Sequence, residues 1–219
     1  MPKKTIYTEA TVLEAGLEQL KEHGWEGITP KLVAKKLGAS TQPIYSHFGT
    51  MDEFRAAILD RAWEILVEYV SKRYTGDAWV DQGIGYILFA RDHGRLFNCM
   101  HYGKPENVRK HRQEFWVIVS KKLKGYPAFV GLSAEHVGWI RHIRALLTHG
   151  IAVTISSGFG PIWEDEEVVR QMIPLCSEII LDGLSNKKDE ITEVTSKIPS
   201  DARERLFGML AKMVNNKKI

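Results

Sequence analysis

Residues 41–48, TQPIYSHF, carry side chains of the kinds that read nucleic acids. The Gln42 amide can pair with the edge of an adenine, and hydroxyl groups and the Pro43 ring can meet bases or thymine methyl groups. Tyr45 and His47 are long enough to reach phosphate oxygens. These side chains predict contact with DNA, provided that they share one exposed face.

The charges around this segment favour the same partner. Between Ile28 and Met51 the sequence contains Lys31, Lys35 and Lys36 but no Asp or Glu, whereas acids are common on either side. An acid-free surface suits a polyanion, because phosphates are bound by lysines, hydroxyls and backbone N–H groups. The alternative is an ordinary solvated basic face, and the formal net charge of +3 does not decide between the two.

Two short helices are predicted to position these side chains. A threonine followed by a proline at residues 29–30 is a typical helix start. This helix is predicted to run through Leu37 and to end at Gly38, because glycine accepts the left-handed backbone that a tight turn needs. Ser40 is predicted to cap the next helix, from Thr41. The proline of that helix lies in its first turn, where its missing N–H removes no intrahelical bond.

The combined pattern, ITPKLVAKKLGASTQPIYSHFGTMDEF, forms a helix-turn-helix over about residues 29–48. It resembles the N-terminal signature of tetracycline-repressor-type (TetR/AcrR) transcriptional regulators, and the resemblance covers roughly residues 8–60. The sequence departs from the family at Met51, where members often have a lysine that touches a phosphate. By the resemblance, eight residues lie at DNA-contacting positions: Thr29, Lys31, Ser40, Thr41, Gln42, Pro43, Tyr45 and His47.

The whole chain is predicted to be all-α, since no segment shows strand alternation between turns. The resemblance implies an N-terminal three-helix helix-turn-helix DNA-binding domain at residues 1–50. It also implies a larger C-terminal helical ligand-binding and dimerisation domain at residues 51–219. Beyond the two short helices of the motif, apolar periodicity and glycine or proline breaks predict helices at 8–23, 51–73, 79–92, 95–101, 106–124, 133–157 and 164–184.

Two of these helices, 133–157 and 164–184, are apolar on more than one face. A helix of this kind is buried on both sides, here in its own core and against a second subunit. In the family these two helices build a four-helix dimer interface, so the resemblance implies a homodimer through them. Pro174 falls inside the second helix and predicts a kink there.

An aromatic-rich region of the second domain is the candidate site for a small-molecule effector. Apolar walls with a few polar groups are typical of ligand sites, although core filling is the stronger interpretation for any single residue. From Arg95 to Lys124 there are eight Lys or Arg against two Glu, which favours an apolar or anionic effector. The candidate residues are Tyr86, Phe89, Phe97, Met100, Phe115, Trp116, Trp139 and His142, with Tyr102 among them in the sequence.

The alternatives are a helical metal-dependent enzyme and a protein-binding adaptor. His136, His142 and His149 recur on one predicted helix, but their spacing does not suit two ligands of one metal, and no catalytic motif is present. We interpret them as hydrogen-bonded polar groups and predict neither an enzyme nor a metal or cofactor. The two distant cysteines, Cys99 and Cys176, look like buried apolar residues. No signal peptide or membrane span is evident, so a cytoplasmic protein is expected.

The end of the chain is predicted to hold one more helix, at about 200–215. A polar stretch after Leu184 leads away from the dimerisation helices, and an apolar stripe through Leu206 and Leu210 then follows. Such a stripe should dock on the protein rather than remain exposed. The sequence as a whole predicts a homodimeric, ligand-responsive regulator, expected to be a repressor released from a palindromic operator in double-stranded DNA by its effector.

Overall fold

The computed structural model describes residues 7–101 and 105–202, without the side chains of 105–108. Over these residues the chain is helical with no strand, which confirms the all-α prediction. Short 3-10 turns connect some of the helices. The helices are α1 (Glu9–His23), α2 (Pro30–Leu37), α3 (Gln42–Phe48), α4 (Met51–Ser71), α5 (Ala78–Asp92), α6 (Gly94–His101), α7 (Pro105–Lys122), α8 (Ala134–Ser156), α9 (Glu166–Ser185) and α10 (Lys188–Ser196).

The helix-turn-helix forms through the local signals in its sequence. Thr29 is the N-cap of α2, and its hydroxyl accepts a hydrogen bond from the Leu32 N–H at 3.3 Å. Gly38 ends α2 in the left-handed region, at φ +65°, with its N–H directed to the carbonyls of Ala34 and Lys35. A residue with a Cβ would be strained there. Leu32, predicted to face inward, is instead 39% exposed, so Val33 is the main core residue of this helix.

Helix α3 begins one residue later than predicted. Thr41, not Ser40, is its N-cap, and the Thr41 side chain makes no capping hydrogen bond. The Thr41 backbone is already in the right-handed helical region, so the chain turns before the first helical residue. Ser40 contributes only a long contact, accepting from the Gln42 N–H at 3.4 Å. Ile44 is fully buried and anchors the helix to the core.

Helix α4 links the helix-turn-helix to the rest of the protein. It starts in a capping box, in which the Thr50 hydroxyl accepts from the Glu53 N–H while the Glu53 carboxylate accepts from the Thr50 N–H. Near its start, Phe54 packs 4.9 Å from the Phe48 ring, measured between ring centroids. Near its end, the Tyr69 ring packs against Phe89 of α5.

One apolar core runs from the first three helices into α5 and α6. It contains Leu20 and Ile44 from the first helices, Ile58 and Leu66 from α4, and Phe97 from α6. The helix-turn-helix therefore packs directly on the helices behind it. The division into domains at residue 50 coincides with the turn before α4 and stays a prediction.

Polar contacts cross between the same two parts of the molecule. The Trp25 indole N–H donates to the Cys99 carbonyl of α6 at 3.1 Å. The Arg55 guanidinium donates to the Ile28 carbonyl at 3.0 Å. Cys99 itself is a free, half-buried thiol, as is Cys176, so neither cysteine is as buried as predicted.

Helices α8 and α9 pack on α5 with one face and leave another open. Ile140, Val169 and Ile173 are buried at 0–2% exposure, which confirms an inward apolar stripe on each helix. Five large apolar side chains of these helices remain exposed, and they form what we call the open face: Leu146, Leu147, Met172, Leu175 and Ile179. Helix α9 continues through Pro174 as one assigned helix.

Helix α10 was not predicted, since its sequence is polar. It forms on tertiary partners: the His136 imidazole lies 2.9 Å from the Lys188 carbonyl, and the Trp139 indole N–H donates to the Thr195 hydroxyl at 2.9 Å. Thr195 is 1% exposed as a result. Helical backbone resumes at Ser200, as predicted for the final helix, but most of the predicted helix 200–215 lies outside the described residues.

The crossing of α4 and α5 gives a first prediction. A Cβ on Gly85 would lie 2.3 Å from the Tyr69 carbonyl oxygen, which is backbone and cannot move aside. Gly85→Ala should therefore lower the free energy of unfolding by about 1–3 kcal/mol, despite the better helix propensity of alanine. Chemical denaturation measures the change.

The control is Ala56→Gly, at an exposed position of α4. It should cost only the helix-propensity difference of about 1 kcal/mol. A Gly85→Ala protein at least as stable as the parent would contradict the close approach of the two helices.

Candidate nucleic-acid interface and effector site

The predicted DNA-contacting residues lie together on the outer side of α2 and α3. Six of them are exposed, while Thr29 and Pro43 are partly exposed. The opposite side of α3 is anchored by Ile44 and Phe48, which confirms the predicted division into a buried and a polar face. The exposed six are Lys31, Ser40, Thr41, Gln42, Tyr45 and His47.

Local contacts occupy some of these side chains and leave others available. The Thr29 hydroxyl is used to cap α2, and the His47 Nε2 atom lies 2.7 Å from the Tyr7 carbonyl oxygen. Within the described part of the chain, the side chains of Lys31, Gln42 and Tyr45 have no hydrogen bond or ion pair. These three can therefore bind an external partner without breaking an internal contact.

The acid-free character of this surface is weaker in space than in sequence. Glu22 of α1 lies next to the segment, and its carboxylate oxygen is 2.6 Å from the Lys36 ammonium. The hydrogen bond from Lys36 holds the pKa of Glu22 below its usual range. Lys31 and Lys35 are exposed, so these two lysines carry the positive charge of the surface.

Six of the eight predicted effector-site residues lie in the continuous core. Phe89, Phe97 and Met100 are fully buried, whereas Tyr86, Phe115 and Trp116 are partly buried against them. Such packing is compatible with core filling as well as with the wall of a ligand site, and the ligand role stays a prediction.

The other two effector-site predictions lie on α8. Trp139 faces α10, to which its indole N–H is bonded. His142 is partly exposed, and partial burial lowers its pKa. Tyr102 lies outside the described residues.

Two histidines that the sequence did not single out form a polar centre within the aromatic residues. The Tyr86 hydroxyl lies 3.2 Å from His101 Nε2 and 2.9 Å from His149 Nδ1. The His101 and Phe97 rings are 4.4 Å apart, measured between centroids. His149 was noted only as one of three on a helix, and His101 gave no signal, because their common partner is distant in sequence.

Burial governs the protonation of this centre. It lowers the pKa of His101 to about 3, and repulsion from His149 adds to the effect. Burial likewise lowers the pKa of His149. Both imidazoles are therefore neutral at pH 7 and can accept or donate hydrogen bonds. Among the described residues, no group of three or more His, Cys, Asp or Glu could hold a metal ion.

Comparison with known proteins points to one class. The family model for bacterial regulatory proteins of the tetR family matches residues 12–67. The HTH-type transcriptional regulators Rv1816 of Mycobacterium tuberculosis and Mb1846 of Mycobacterium bovis are each 29% identical over 86 residues. That alignment covers 38% of this chain and 37% of each relative.

One solved structure was also matched, the TetR family transcriptional regulator PfmR from Thermus thermophilus. The identity is 17% with a TM-score of 0.45, over 81% of this chain and 97% of that one. The resemblance to TetR/AcrR regulators is confirmed by the family model and the curated relatives, which are transcriptional regulators rather than enzymes. No described helix is long and apolar enough to cross a membrane.

The buried His101 generates a prediction on pH. Its pKa in the folded protein lies below the ordinary 6.5, so the unfolded chain binds more protons between about pH 6.5 and pH 3. Stability is therefore lost as the pH falls through this window. From pH 7 to pH 5 the free energy of unfolding should drop by about 2 kcal/mol through His101 alone.

Urea denaturation at the two pH values measures this loss. His101→Gln should reduce the pH dependence by that amount, and His23→Gln, at an exposed position, is the matched control. An unchanged pH dependence in His101→Gln would contradict the buried neutral imidazole.

Proposed function

We propose, from the tetR-type match over residues 12–67, that the chain is a homodimeric transcriptional regulator. It binds double-stranded DNA through α3 and responds to a small molecule in its helical domain. The observation that carries the proposal is the exposed polar face of α3, with Gln42 and Tyr45 unengaged beside Lys31 and apolar anchors on the other side. We place this function in the cytoplasm, where the DNA is.

The dimensions of α3 suit a recognition helix. An α-helix with its side chains fits the major groove, and its N-terminal residues meet the base edges. Gln42 is the first residue of α3, and its amide can form two hydrogen bonds with an adenine. Tyr45, one turn later, is 44% exposed and can reach the backbone.

Lys31 serves a different purpose from Gln42. It lies in the first turn of α2, outside the recognition helix, and is exposed. A lysine in this place positions the protein on phosphates and carries no sequence information. The other predicted residues support α3 or contact the backbone. Met51, which replaces the lysine often found in the family, packs against the core instead.

The open face of α8 and α9 supports a homodimer. Ile179 is 61% exposed and Leu146 is 57% exposed, and such apolar side chains cluster with Leu175 on adjacent helices. An exposed apolar patch of this kind marks an interface. Two copies meeting through this face form a four-helix contact about a two-fold axis, which matches a palindromic operator with half-sites one helical turn apart.

An effector in the helical domain would act through the shared core. Helix α4 and the Trp25–Cys99 hydrogen bond connect the helix-turn-helix to α5 and α6. A ligand that binds better to one arrangement of these helices shifts the dimer towards it. Repression ends if the favoured arrangement no longer matches the spacing of the operator.

A titration of DNA affinity tests the assigned roles of Gln42 and Lys31. Duplexes selected from a random pool by the parent protein are titrated at several salt concentrations. Gln42→Ala should cost about 1–3 kcal/mol and relax the preference at one position of each half-site. Lys31→Ala should weaken binding to all sequences alike and reduce the salt slope by about one unit per protomer.

Lys121→Ala, an exposed lysine of α7, is the matched control and should bind as the parent does. If neither Gln42→Ala nor Lys31→Ala differs from this control, α3 is not the recognition helix. If the parent selects no duplex at all, the proposed function itself is wrong.

Sedimentation tests the homodimer. Ile179→Glu places a charge on the open face, where it would be buried on association without a partner, so the variant should sediment as a monomer. Val130→Glu, at an exposed apolar side chain in the loop before α8, is the control and should remain a dimer. A monomeric parent, or a dimeric Ile179→Glu, would exclude this face as the interface.

A further inference from the structure

Two arginines of α8 extend into the interior of the helical domain. Arg141 is 4% exposed, and its Nη2 atom donates to the Ser120 hydroxyl of α7 at 2.5 Å. Its guanidinium carbon lies 5.5 Å from the centroid of the Trp116 ring. Arg141 is therefore a buried cation held by neutral groups.

Arg144 lies one turn further along the helix in a similar setting. Its Nη1 atom donates to the Trp79 carbonyl, and its Nη2 atom lies 3.4 Å from the Gln82 amide oxygen. The guanidinium carbon is 4.0 Å from the centroid of the Trp79 ring. The Nε atom is buried without any acceptor.

Neither guanidinium is neutralised within the described part of the chain. No described carboxylate lies within ion-pair distance of Arg141 or Arg144. Asp77 acts on Arg144 only at longer range, and its carboxylate already accepts the Tyr126 hydroxyl at 2.8 Å. Burial lowers the pKa of Arg141 to about 10 and that of Arg144 to about 9, and the two cations repel each other.

This arrangement is unfavourable as it stands. Buried charges in proteins are normally paired, because an isolated ion loses its hydration without compensation. An arginine has five N–H donors, and the described contacts of Arg141 use one of them. The two side chains thus retain charge and donors that match an anion with at least two oxygens.

We propose that Arg141 and Arg144 bind the carboxylate of an otherwise apolar effector. This inference rests on the proposed function and names the chemical class of its ligand. The apolar part would lie along Trp116, which packs in the continuous core with Phe115 and Tyr86. A carboxylate fits better than a phosphate group, because the neighbouring polar side chains, Ser120 and Gln82, are few and neutral.

The carboxylate explains why the cations are retained at a cost to stability. A structural arginine would be needed by the fold, so its removal would destabilise the free protein. A binding arginine without a counter-ion opposes folding until the ligand arrives. Substitution by methionine, of similar length and without charge, separates the two roles.

The test measures thermal stability and binding with matched probes on the full-length protein. Octanoate and 4-phenylbutanoate are compared with octanol and 4-phenylbutanol, by melting temperature and by calorimetric titration. At least one carboxylate should raise the melting temperature and bind at least tenfold tighter than its alcohol, because a ligand of the native state stabilises it by mass action.

Arg141→Met should weaken binding of that carboxylate at least tenfold, while the melting temperature of the free variant equals or exceeds that of the parent. Arg109→Met, at an exposed position of α7, is the matched control and should behave as the parent does. Arg144→Met provides a second variant and should also lose carboxylate affinity.

Three results would overturn the proposal. One is equal affinity for carboxylate and alcohol, or no stabilisation by either carboxylate. Another is carboxylate affinity unchanged in both arginine variants. The third is a loss of folding in both free variants, which would make the arginines structural. DNA binding of the parent is measured separately, so failure of this inference is distinct from failure of the proposed function.

Discussion

The rest of the structure depends on the burial of α4 along its whole length. Phe54 and Ile58 at one end pack with the helix-turn-helix, and Leu66 and Val70 at the other end pack with the helices behind it. Both ends lie in the same apolar core, so the position of α3 is fixed relative to α5 and α6. A rearrangement of the helical domain must either move the helix-turn-helix or break this core, since packed interiors do not deform continuously.

Polar groups in the helical domain fall into two kinds. The His101 and His149 imidazoles are neutral and satisfied by the Tyr86 hydroxyl, which lets them lie among aromatic rings at little cost. Arg141 and Arg144 carry charge that the described protein does not neutralise. The first kind specifies the packing of a core, whereas the second makes a ligand part of the stability of the domain. A regulator that must respond to a small molecule needs this second kind.

Local signals made the helix-turn-helix predictable, and tertiary contacts limited the rest. Thr29 and Gly38 act on their own neighbours, so the bounds of α2 follow from the sequence alone. Helix α10 forms on partners from α8, and its polar sequence predicted a connecting stretch instead. The buried arginines escaped notice for a similar reason: on a helix with many polar residues, only the three-dimensional packing reveals that Arg141 and Arg144 face inward. The predicted effector-site residues were recognised as a group by their aromatic character, which does not distinguish a wall from a core.

Native-state hydrogen exchange tests the continuous core most directly. If α4 joins the two parts into one cooperative unit, the slowest amides of α1, α4 and α6 should open with the same free energy and the same denaturant dependence, equal to those of global unfolding. Exchange of α1 through a separate opening, at a free energy several kcal/mol below that of α6, would show that the helix-turn-helix unfolds independently. The proposed coupling through α4 would then be contradicted.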